Sequence, residues 1–516
     1  MSRKNVIAGP KVEYQEYKGS LGEFYFENAG EFNSDIFQVD ADTNEHETFG
    51  TIKSKSVRLA INLQKHGLTS DGCVVICSNN TTYSCVPHVA AQFLGAATAA
   101  LHPKQSQSEW THCLDVVRPS HVFVEERDVL KMEKSIETLK EKPMLVVFGE
   151  SREHLTYKDL VTTSDDDREA TFRPVAKNCK DTAVILFSSG TTGAPKGMRS
   201  SHYSLINRTM PGLLDALLDI RRTAIGVCFY TGGRRIIPPV EFDPERMLQI
   251  IERHKVNYMF VSPVLMRSVI PLKKIAENYD TSSLVFVVTV GSILHADEVL
   301  ELRRIFPGTV VTQAYGSSET TTLGTAFALP EDGRWLSKLE SVGKVTANCE
   351  IKVIDVATGE ALGPRQTGEI YVKTALLFSG YCRSNSTDYL DDEGFFKTGD
   401  LGYYDEDECF YIVGRLSETF KSRDYFIRPS HLEHILRGHP DVLEAGVFCS
   451  QDGLPAACVT LKARATSTVE DIEDYYNGIV SDWERLRGGL KIVSDIPMTS
   501  THKIQRYKLP EVYSKS

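Results

Sequence analysis

Short apolar runs alternate with longer helical stretches through most of this chain, which limits the folds it can adopt. The runs are rich in β-branched residues and bounded by polar turns, as buried strands are. They lie at 74–77, 144–148, 183–187, 259–261 and 284–290. Helical periodicity is clearest at 242–254 and 296–305. Strands that alternate with helices predict a layered α/β fold.

The length of the chain predicts more than one domain. Its 516 residues exceed what a single hydrophobic core usually organises. From about residue 347 closely spaced strands predict a small β-barrel-like module, and after Arg415 a tail follows with its own strands and a helix at 469–485. We therefore predict a layered α/β N-terminal domain at 1–415, which ends in the β module, and a smaller α+β domain at 416–516.

Charge and composition argue against several classes of partner. The net charge is -11, and no basic stripe is present, so we expect no nucleic acid partner. The most apolar stretch, 89–101, is too short to cross a bilayer, so we predict a buried helix there and no integral membrane segment. The 11 cysteines include no C-x-x-C pair, which favours a reducing compartment.

The two ends of the sequence carry information on the cellular location of the protein. The amino terminus lacks the apolar core of a signal peptide, so we expect a cytoplasmic protein. The last residues, Ser514, Lys515 and Ser516, resemble the peroxisomal Ser-Lys-Leu signal but lack its leucine. A peroxisomal location is therefore the alternative.

The most informative segment is 188–197, Ser-Ser-Gly-Thr-Thr-Gly-Ala-Pro-Lys-Gly, which directly follows a predicted strand. Its glycines let backbone N–H groups turn toward an anion, its hydroxyls add donors, and Lys196 adds a positive charge. The spacing differs from that of a Walker A loop. An ordinary Gly/Ser/Thr loop is the alternative, but this composition after a strand favours a phosphate loop.

This loop resembles the signature of the adenylate-forming superfamily, which includes acyl-CoA synthetases, 4-coumarate–CoA ligases, firefly-type luciferases and peptide-synthetase adenylation domains. The resemblance implies that Lys196 is catalytic. It also implies that the loop binds nucleotide through Ser188, Ser189, Gly190, Thr191, Thr192 and Gly193.

Segment 313–320 resembles the next motif of the same family. The resemblance implies that Tyr315, followed by Gly316, stacks on adenine, that Ser318 contacts phosphate, and that Glu319 helps to hold Mg²⁺, a cation suited to carboxylates. Gly291 stands in the turn that the family places beside the adenine. Taken alone, a Tyr-Gly turn would be a structural loop, but its place in the series favours the nucleotide site.

Two later segments complete the series. In 398–403 the resemblance makes Asp400 the acceptor for the ribose hydroxyls, and in 414–416 it makes Arg415 a ribose and phosphate contact. A surface ion pair is the alternative for Arg415. The resemblance also implies that 1–415 contains two layered α/β subdomains and that the domain at 416–516 is mobile about a hinge at Ser417 and Glu418.

Segment 497–504 resembles the family's carboxy-terminal motif, which makes Lys503 the catalytic lysine rather than a solubilising charge. The whole series implies ATP-dependent activation of a fatty or aryl acid to an acyl adenylate. Transfer of the acyl group to coenzyme A follows, with ATP, Mg²⁺ and CoA as the small molecules required.

Departures from the family pattern keep two alternatives open. Asp424 and His502 each stand where the family has a glycine, and the segment between Lys196 and Phe242 is short, without the family's aromatic-histidine motif at the acyl pocket. A catalytically degenerate homologue that binds nucleotide or acyl ligand is the first alternative. A luciferase-like monooxygenase is the second.

Overall fold

The computed structural model describes residues 5–12, 17–162, 165–187, 195–207, 225–239, 241–321, 323–327, 337–422, 425–499 and 503–515. The strands are β1 (Val6–Ala8), β2 (Ile36–Asp40), β3 (His46–Thr48), β4 (Cys73–Cys77), β5 (Ala97–Leu101), β6 (His121–Glu125), β7 (Met144–Phe148), β8 (Leu155–Thr156), β9 (Thr182–Phe187), β10 (Gly197–Ser201), β11 (Arg235–Ile237), β12 (Tyr258–Val261), β13 (Phe286–Thr289), β14 (Val310–Gln313), β15 (Tyr315–Gly316), β16 (Leu323–Ala326), β17 (Lys344–Val345), β18 (Cys349–Ile354), β19 (Gly368–Thr374), β20 (Phe396–Tyr404), β21 (Phe410–Arg415), β22 (Phe420–Ser422), β23 (Tyr425–Ile427), β24 (Val442–Cys449), β25 (Pro455–Leu461) and β26 (Leu490–Ile492). The helices are α1 (Leu21–Glu31), α2 (Phe49–Lys65), α3 (Val86–Phe93), α4 (Gln107–Val117), α5 (Val129–Ile136), α6 (Tyr157–Thr162), α7 (Asp166–Thr171), α8 (His202–Asn207), α9 (Ile225–Thr231), α10 (Pro244–His254), α11 (Pro263–Arg267), α12 (Lys273–Ala276), α13 (Ala296–Ile305), α14 (Pro429–Arg437), α15 (Val469–Asn477) and α16 (Leu509–Lys515).

A seven-stranded sheet with the order β10-β9-β5-β4-β6-β7-β8 forms the first layered unit. Its neighbouring strands are parallel except for β10, which is antiparallel to β9. Val74 of β4 packs in a core with α2 and α3, while Val75 packs on the other face with α4 and α5. Helices cover both faces, so β4 is apolar along its length.

A three-stranded parallel sheet, β12-β13-β14, forms the second layered unit. Val287 packs on one face with α10 and α13, and Val288 packs on the other. Gly291 and Tyr315 follow just beyond the carboxyl ends of β13 and β14. Open α/β sheets bind their ligands at this edge.

A five-stranded antiparallel sheet, β1-β18-β19-β20-β21, forms the β-rich module. Its inner residues, such as Ile351 and Ile370, are fully buried. The register between β20 and β21 places Asp400 directly opposite Arg415. Two residues from the predicted nucleotide motifs are therefore neighbours on one sheet.

The C-terminal part of the chain has its own core. Strands β24, β25 and β26 form a sheet, and Val447 packs on one face with α14 and α15. On the other face Phe448 packs against Leu509 of α16. The α/β class, with a large N-terminal and a small C-terminal domain, is thus confirmed, whereas the boundary at 415/416 stays a prediction.

Two predicted helices are shorter in the structure. Stretch 89–101 is not one helix, because α3 ends at Phe93 and β5 begins at Ala97. Gly95 adopts a φ of +72°, which ends the helix and turns the chain into the sheet. The predicted helix 469–485 ends at Asn477 before Gly478. Among the described residues, no helix has the length and apolar character that a membrane span requires.

Candidate active site

The carboxylate of Asp400 is held at the centre of the candidate site. Nε of Arg415 lies 2.8 Å from its Oδ1, and the hydroxyl of Tyr315 donates a hydrogen bond of 2.8 Å to its Oδ2. A guanidinium nitrogen of Arg415 also donates to the carbonyl oxygen of Thr398 at 3.2 Å. Three predicted site residues from separate motifs therefore form one hydrogen-bonded group.

The burial of this group determines its protonation. Asp400 is 7% exposed, and burial raises its pKa, while Arg415 and the Tyr315 hydroxyl oppose that shift by stabilising the ionised form. Burial, followed by the charge of Asp400, raises the pKa of Tyr315 well above its ordinary value. Its hydroxyl therefore remains protonated and a donor.

Segments 497–499 and 503–505 of the C-terminal domain pair antiparallel, and we call this pair the hairpin of Lys503. The N–H of Thr499 donates to the carbonyl oxygen of Lys503 at 2.7 Å, and the N–H of Lys503 donates to Oγ1 of Thr499 at 3.1 Å. Met498 and Ile504 form a β-bridge, and both pack on the core of that domain. The hairpin thus joins the lysine firmly to its own domain.

The side chain of Lys503 reaches the N-terminal domain. A Cβ atom at Gly291, where φ is +98°, would lie only 3.7 Å from Cε of Lys503. Burial lowers the pKa of Lys503, as does the nearby charge of Arg415, while Asp400, Glu418 and Glu319 oppose this shift. Two cations therefore lie near each other in a partly dehydrated space, an arrangement that a polyanion would stabilise.

Glu319 belongs to a second group beside the first. Its Oε1 accepts a hydrogen bond of 3.2 Å from the hydroxyl of Tyr381, and Nζ of Lys196 lies 5.3 Å from the centre of the Tyr381 ring. A single carboxylate suits Mg²⁺ when phosphate oxygens and water supply the other ligands. Glu319, with its orientation fixed by Tyr381, fits that role.

The predicted phosphate-loop residues Ser188, Ser189, Gly190, Thr191, Thr192 and Gly193 lie outside the described residues. Both flanks of the loop are described. Phe187 and Gly197 pair across the antiparallel strands β9 and β10. A Cβ atom at Gly197 would lie 3.0 Å from Val116 and 3.1 Å from Sγ of Cys382, so only glycine fits without displacement.

The remaining predicted residues lie around these two groups. Gly316 pairs with Leu323 in a small sheet, and Ser318 is exposed on the turn that follows. Ser417 is exposed, and the N–H of Glu418 donates to the carbonyl oxygen of Arg415 at 3.2 Å. Asp424 and His502 lie outside the described residues.

Arg506 was not among the predicted site residues. Its Nε donates to Glu418 at 2.8 Å, and its other nitrogens contact the buried carboxylate of Glu433 on α14. Arg506 therefore connects the predicted hinge to the hairpin of Lys503. The pattern Lys-x-x-Arg at the end of the motif is the one sequence signal that pointed to it.

Tyr381 was also not predicted. It lies 62 residues from its partner Glu319 along the chain, in a segment with no chemical motif of its own. Only the folded arrangement brings the two side chains together.

Comparison with known proteins identifies the family. The family model of the AMP-binding enzymes matches residues 25–382, and the model of their C-terminal domain matches 431–503. The luciferin 4-monooxygenase of Nipponoluciola cruciata is 30% identical over 550 residues, covering 99% of this chain and 98% of that protein. The 4-coumarate–CoA ligase-like 9 protein of Arabidopsis thaliana is 29% identical and covers 92% of this chain and 86% of its own.

Among solved structures, the luciferase-like enzyme of the nonluminescent mealworm Zophobas morio is similar, with a TM-score of 0.76. It is 34% identical and covers 80% of this chain and 100% of its own. The fold, the motif series and the matched family models agree. This chain belongs to the AMP-binding enzyme family, within the adenylate-forming superfamily of acyl-CoA ligases and luciferases.

Proposed function

We propose that this protein is an acyl-CoA ligase that activates a fatty or aryl carboxylic acid with ATP and transfers the acyl group to coenzyme A. The observation that carries the proposal is the position of Lys503 beside Gly291, within electrostatic reach of Asp400 and Arg415. Residues from both domains thereby surround one small space.

The first half-reaction requires cations at the reacting phosphate. An oxygen of the acid attacks the α-phosphorus of ATP, the bond to the β-phosphate breaks, and pyrophosphate leaves. Two anions approach each other, so the ammonium group of Lys503 stabilises both the attacking carboxylate and the phosphate oxygens. Asp400, which is paired with Arg415, accepts hydrogen bonds from the ribose hydroxyls.

Mg²⁺ would be held by Glu319 together with phosphate oxygens, and it would neutralise charge on the triphosphate. Tyr381 orients the carboxylate of Glu319 through its hydroxyl. Lys196 adds a positive charge on the same side.

The second half-reaction requires the lysine to leave. The sulfur of CoA attacks the acyl carbonyl carbon, the bond to the AMP oxygen breaks, and AMP departs with that oxygen. Rotation of the C-terminal domain about Ser417 and Glu418 would open the path for the thiol. The similarity to a 4-coumarate–CoA ligase-like protein supports this step.

Light-emitting oxygenation is the second candidate, favoured by the luciferin 4-monooxygenase of Nipponoluciola cruciata as a relative. The mealworm enzyme, described as luciferase-like from a nonluminescent animal, indicates that this likeness does not entail light. A shared fold does not determine the reaction, which depends on the residues of the site. A luciferin assay with ATP and oxygen that yields no photons would exclude this candidate.

The test of the ligase proposal is acid-dependent exchange of labelled pyrophosphate into ATP across a panel of fatty and aryl acids. We expect exchange with at least one acid. Lys503→Met should lower its rate by about a hundredfold or more, since it removes a charge used in the transition state. Lys515→Met, on an exposed lysine of the same domain, is the matched control and should retain the rate. Absence of exchange with every acid would leave the degenerate homologue as the better description.

A further inference from the structure

Two histidines from different domains stack on each other. His295 precedes the first residue of α13, a few residues after the Gly291 turn, and His434 lies on α14 of the C-terminal domain. Their ring centres are 3.7 Å apart and their planes differ by 24°. The stack therefore joins the domain that carries Lys503 to the segment that Lys503 contacts.

His295 has a carboxylate beside it in its own domain. Nδ1 of His295 lies 3.2 Å from Oε1 of Glu340, and the hydrogen bond from His295 lowers the pKa of Glu340. Glu298 is also near, but its charge is balanced by Arg267, which lies 2.8 Å away. Glu340 is thus the contact that His295 makes within its own domain.

The surroundings of His434 do not favour its protonated form. Asp297 is its nearest acid, but the contact of 3.5 Å is long and Asp297 is 70% exposed. Arg437 on the same helix is paired with Glu444 at 3.0 Å, and His431 lies 3.9 Å from Glu484. Among the described residues, the buried Nδ1 of His434 has no hydrogen-bond partner. Burial, followed by the charge of His295, lowers the pKa of His434 to about 4.

We propose that the stacked rings of His295 and His434 position Lys503 for adenylate formation by holding the domains together, and that protonation of His434 releases them. The catalytic consequence rests on the proposed ligase function. The docking itself does not depend on catalysis, since both rings lie outside the Asp400 and Glu319 groups.

The direction in which pH changes docking follows from the shift in the pKa of His434. Burial and the charge of His295 lower the pKa of His434 in the stack to about 4, below the ordinary histidine value of 6.5, so the docked state binds fewer protons. Docking is fully favoured above about pH 6.5 and weakens as the pH falls toward 4. Each pH unit in this window lowers the ratio of docked to undocked molecules by up to about tenfold.

Energy transfer between two dyes measures docking without requiring activity. Leu300 on α13 and Leu443 on β24 are exposed and lie in different domains, so each can be replaced by a ketone- or azide-bearing residue for labelling. This chemistry avoids the native thiols, of which Cys449 is exposed. Transfer is recorded in the full chain from pH 7.5 to 5, with circular dichroism to verify that it stays folded.

We expect the transfer efficiency of the otherwise unsubstituted protein to change as the pH falls below about 6.5. The double variant His295→Phe, His434→Phe keeps two stacked rings without a titrating group and should stay docked throughout. His434→Ala loses the stack and should be less docked even at pH 7.5. His154→Phe, at a histidine paired with Glu133 elsewhere, is the control and should titrate as the parent does.

An unchanged acid transition in the double variant, or no transition in the parent, would overturn the proposal. A second arm compares pyrophosphate exchange at pH 7.5 and 6. The parent should lose rate on acidification, whereas the double variant should retain it. The two proposals can fail separately. If no carboxylic acid supports pyrophosphate exchange while the dye signals change as expected, the ligase function is contradicted and the docking contact is supported.

Discussion

At the scale of single residues, the site depends on one buried carboxylate and on the groups that contact its two oxygens. Asp400 loses the hydration of its charge on burial, and Arg415 and Tyr315 replace part of that hydration with directed contacts. Its two oxygens are thereby fixed relative to the sheet. A carboxylate that is fixed in this way can accept hydrogen bonds from the hydroxyls of a nucleotide ribose.

Removal of the Tyr315 hydroxyl tests this role. Tyr315→Phe keeps the ring but removes one hydrogen bond from a buried carboxylate, so we expect ATP affinity to fall roughly fivefold or more. Tyr404→Phe is the matched control, because the hydroxyl of Tyr404 donates at 3.2 Å to the carbonyl oxygen of Leu362 in the same module. Titration calorimetry measures both, and equal ATP affinity for the two variants would contradict the account.

At the scale of elements, the hairpin of Lys503 is held by Arg506, which bridges Glu418 and Glu433. Glu433 is 3% exposed, and its carboxylate also accepts a hydrogen bond of 2.9 Å from the N–H of Val447. Burial raises the pKa of Glu433, and the charge of Arg506 opposes that shift. The bridge therefore ties α14, the hinge and the hairpin into one unit.

Arg506→Met would leave Glu433 buried without its cation, which costs about 3–5 kcal/mol in the stability of the C-terminal domain. Adding Glu433→Gln should recover part of that loss. Arg487→Met removes an exposed ion pair with Asp482 and should cost at most about 1 kcal/mol. Urea-dependent hydrogen exchange of the β24 and β25 amides measures the stability, and similar losses for Arg506→Met and Arg487→Met would count against the bridge.

The sequence predicted elements well where periodicity was strong, as at α13, whose bounds match residues 296–305. It failed at 89–101, because a short apolar run fits a helix and a buried strand equally well and Gly95 alone marks the change. In the site, Asp400, Arg415, Tyr315 and Lys503 were named from motifs. Tyr381, Glu433 and the histidine pair were not, since their partners lie far away along the chain and only the fold joins them.

At the scale of the whole molecule, the ligase reaction that we propose requires one site to serve two half-reactions with opposite demands on the domain orientation. Adenylate formation requires Lys503 beside Gly291, and thioester formation requires it elsewhere. Contacts between the domains, such as the His295–His434 stack, favour the first orientation. The equilibrium between the two orientations would then set the fraction of molecules that is ready for each half-reaction.

The family resemblance sets Asp424 at a position where other members have a glycine, which predicts that its carboxylate hinders thioester formation. We expect Asp424→Gly to raise the yield of CoA thioester and to leave pyrophosphate exchange unchanged. Asp452→Gly, at an exposed turn of the same domain, is the matched control. Chromatographic assay of the CoA thioester compares the yields of the two variants. An unaltered yield for Asp424→Gly would refute the proposed effect of Asp424 on thioester formation.

The measurement that tests the central claim most directly is the transfer of an oxygen atom from the acid to AMP. With a carboxylic acid labelled with ¹⁸O and an excess of CoA, the acid oxygen that attacks phosphorus should leave with AMP. Mass spectrometry should therefore find one labelled oxygen in each AMP formed. AMP without the label, or ADP as the product, would contradict activation through an acyl adenylate at this site.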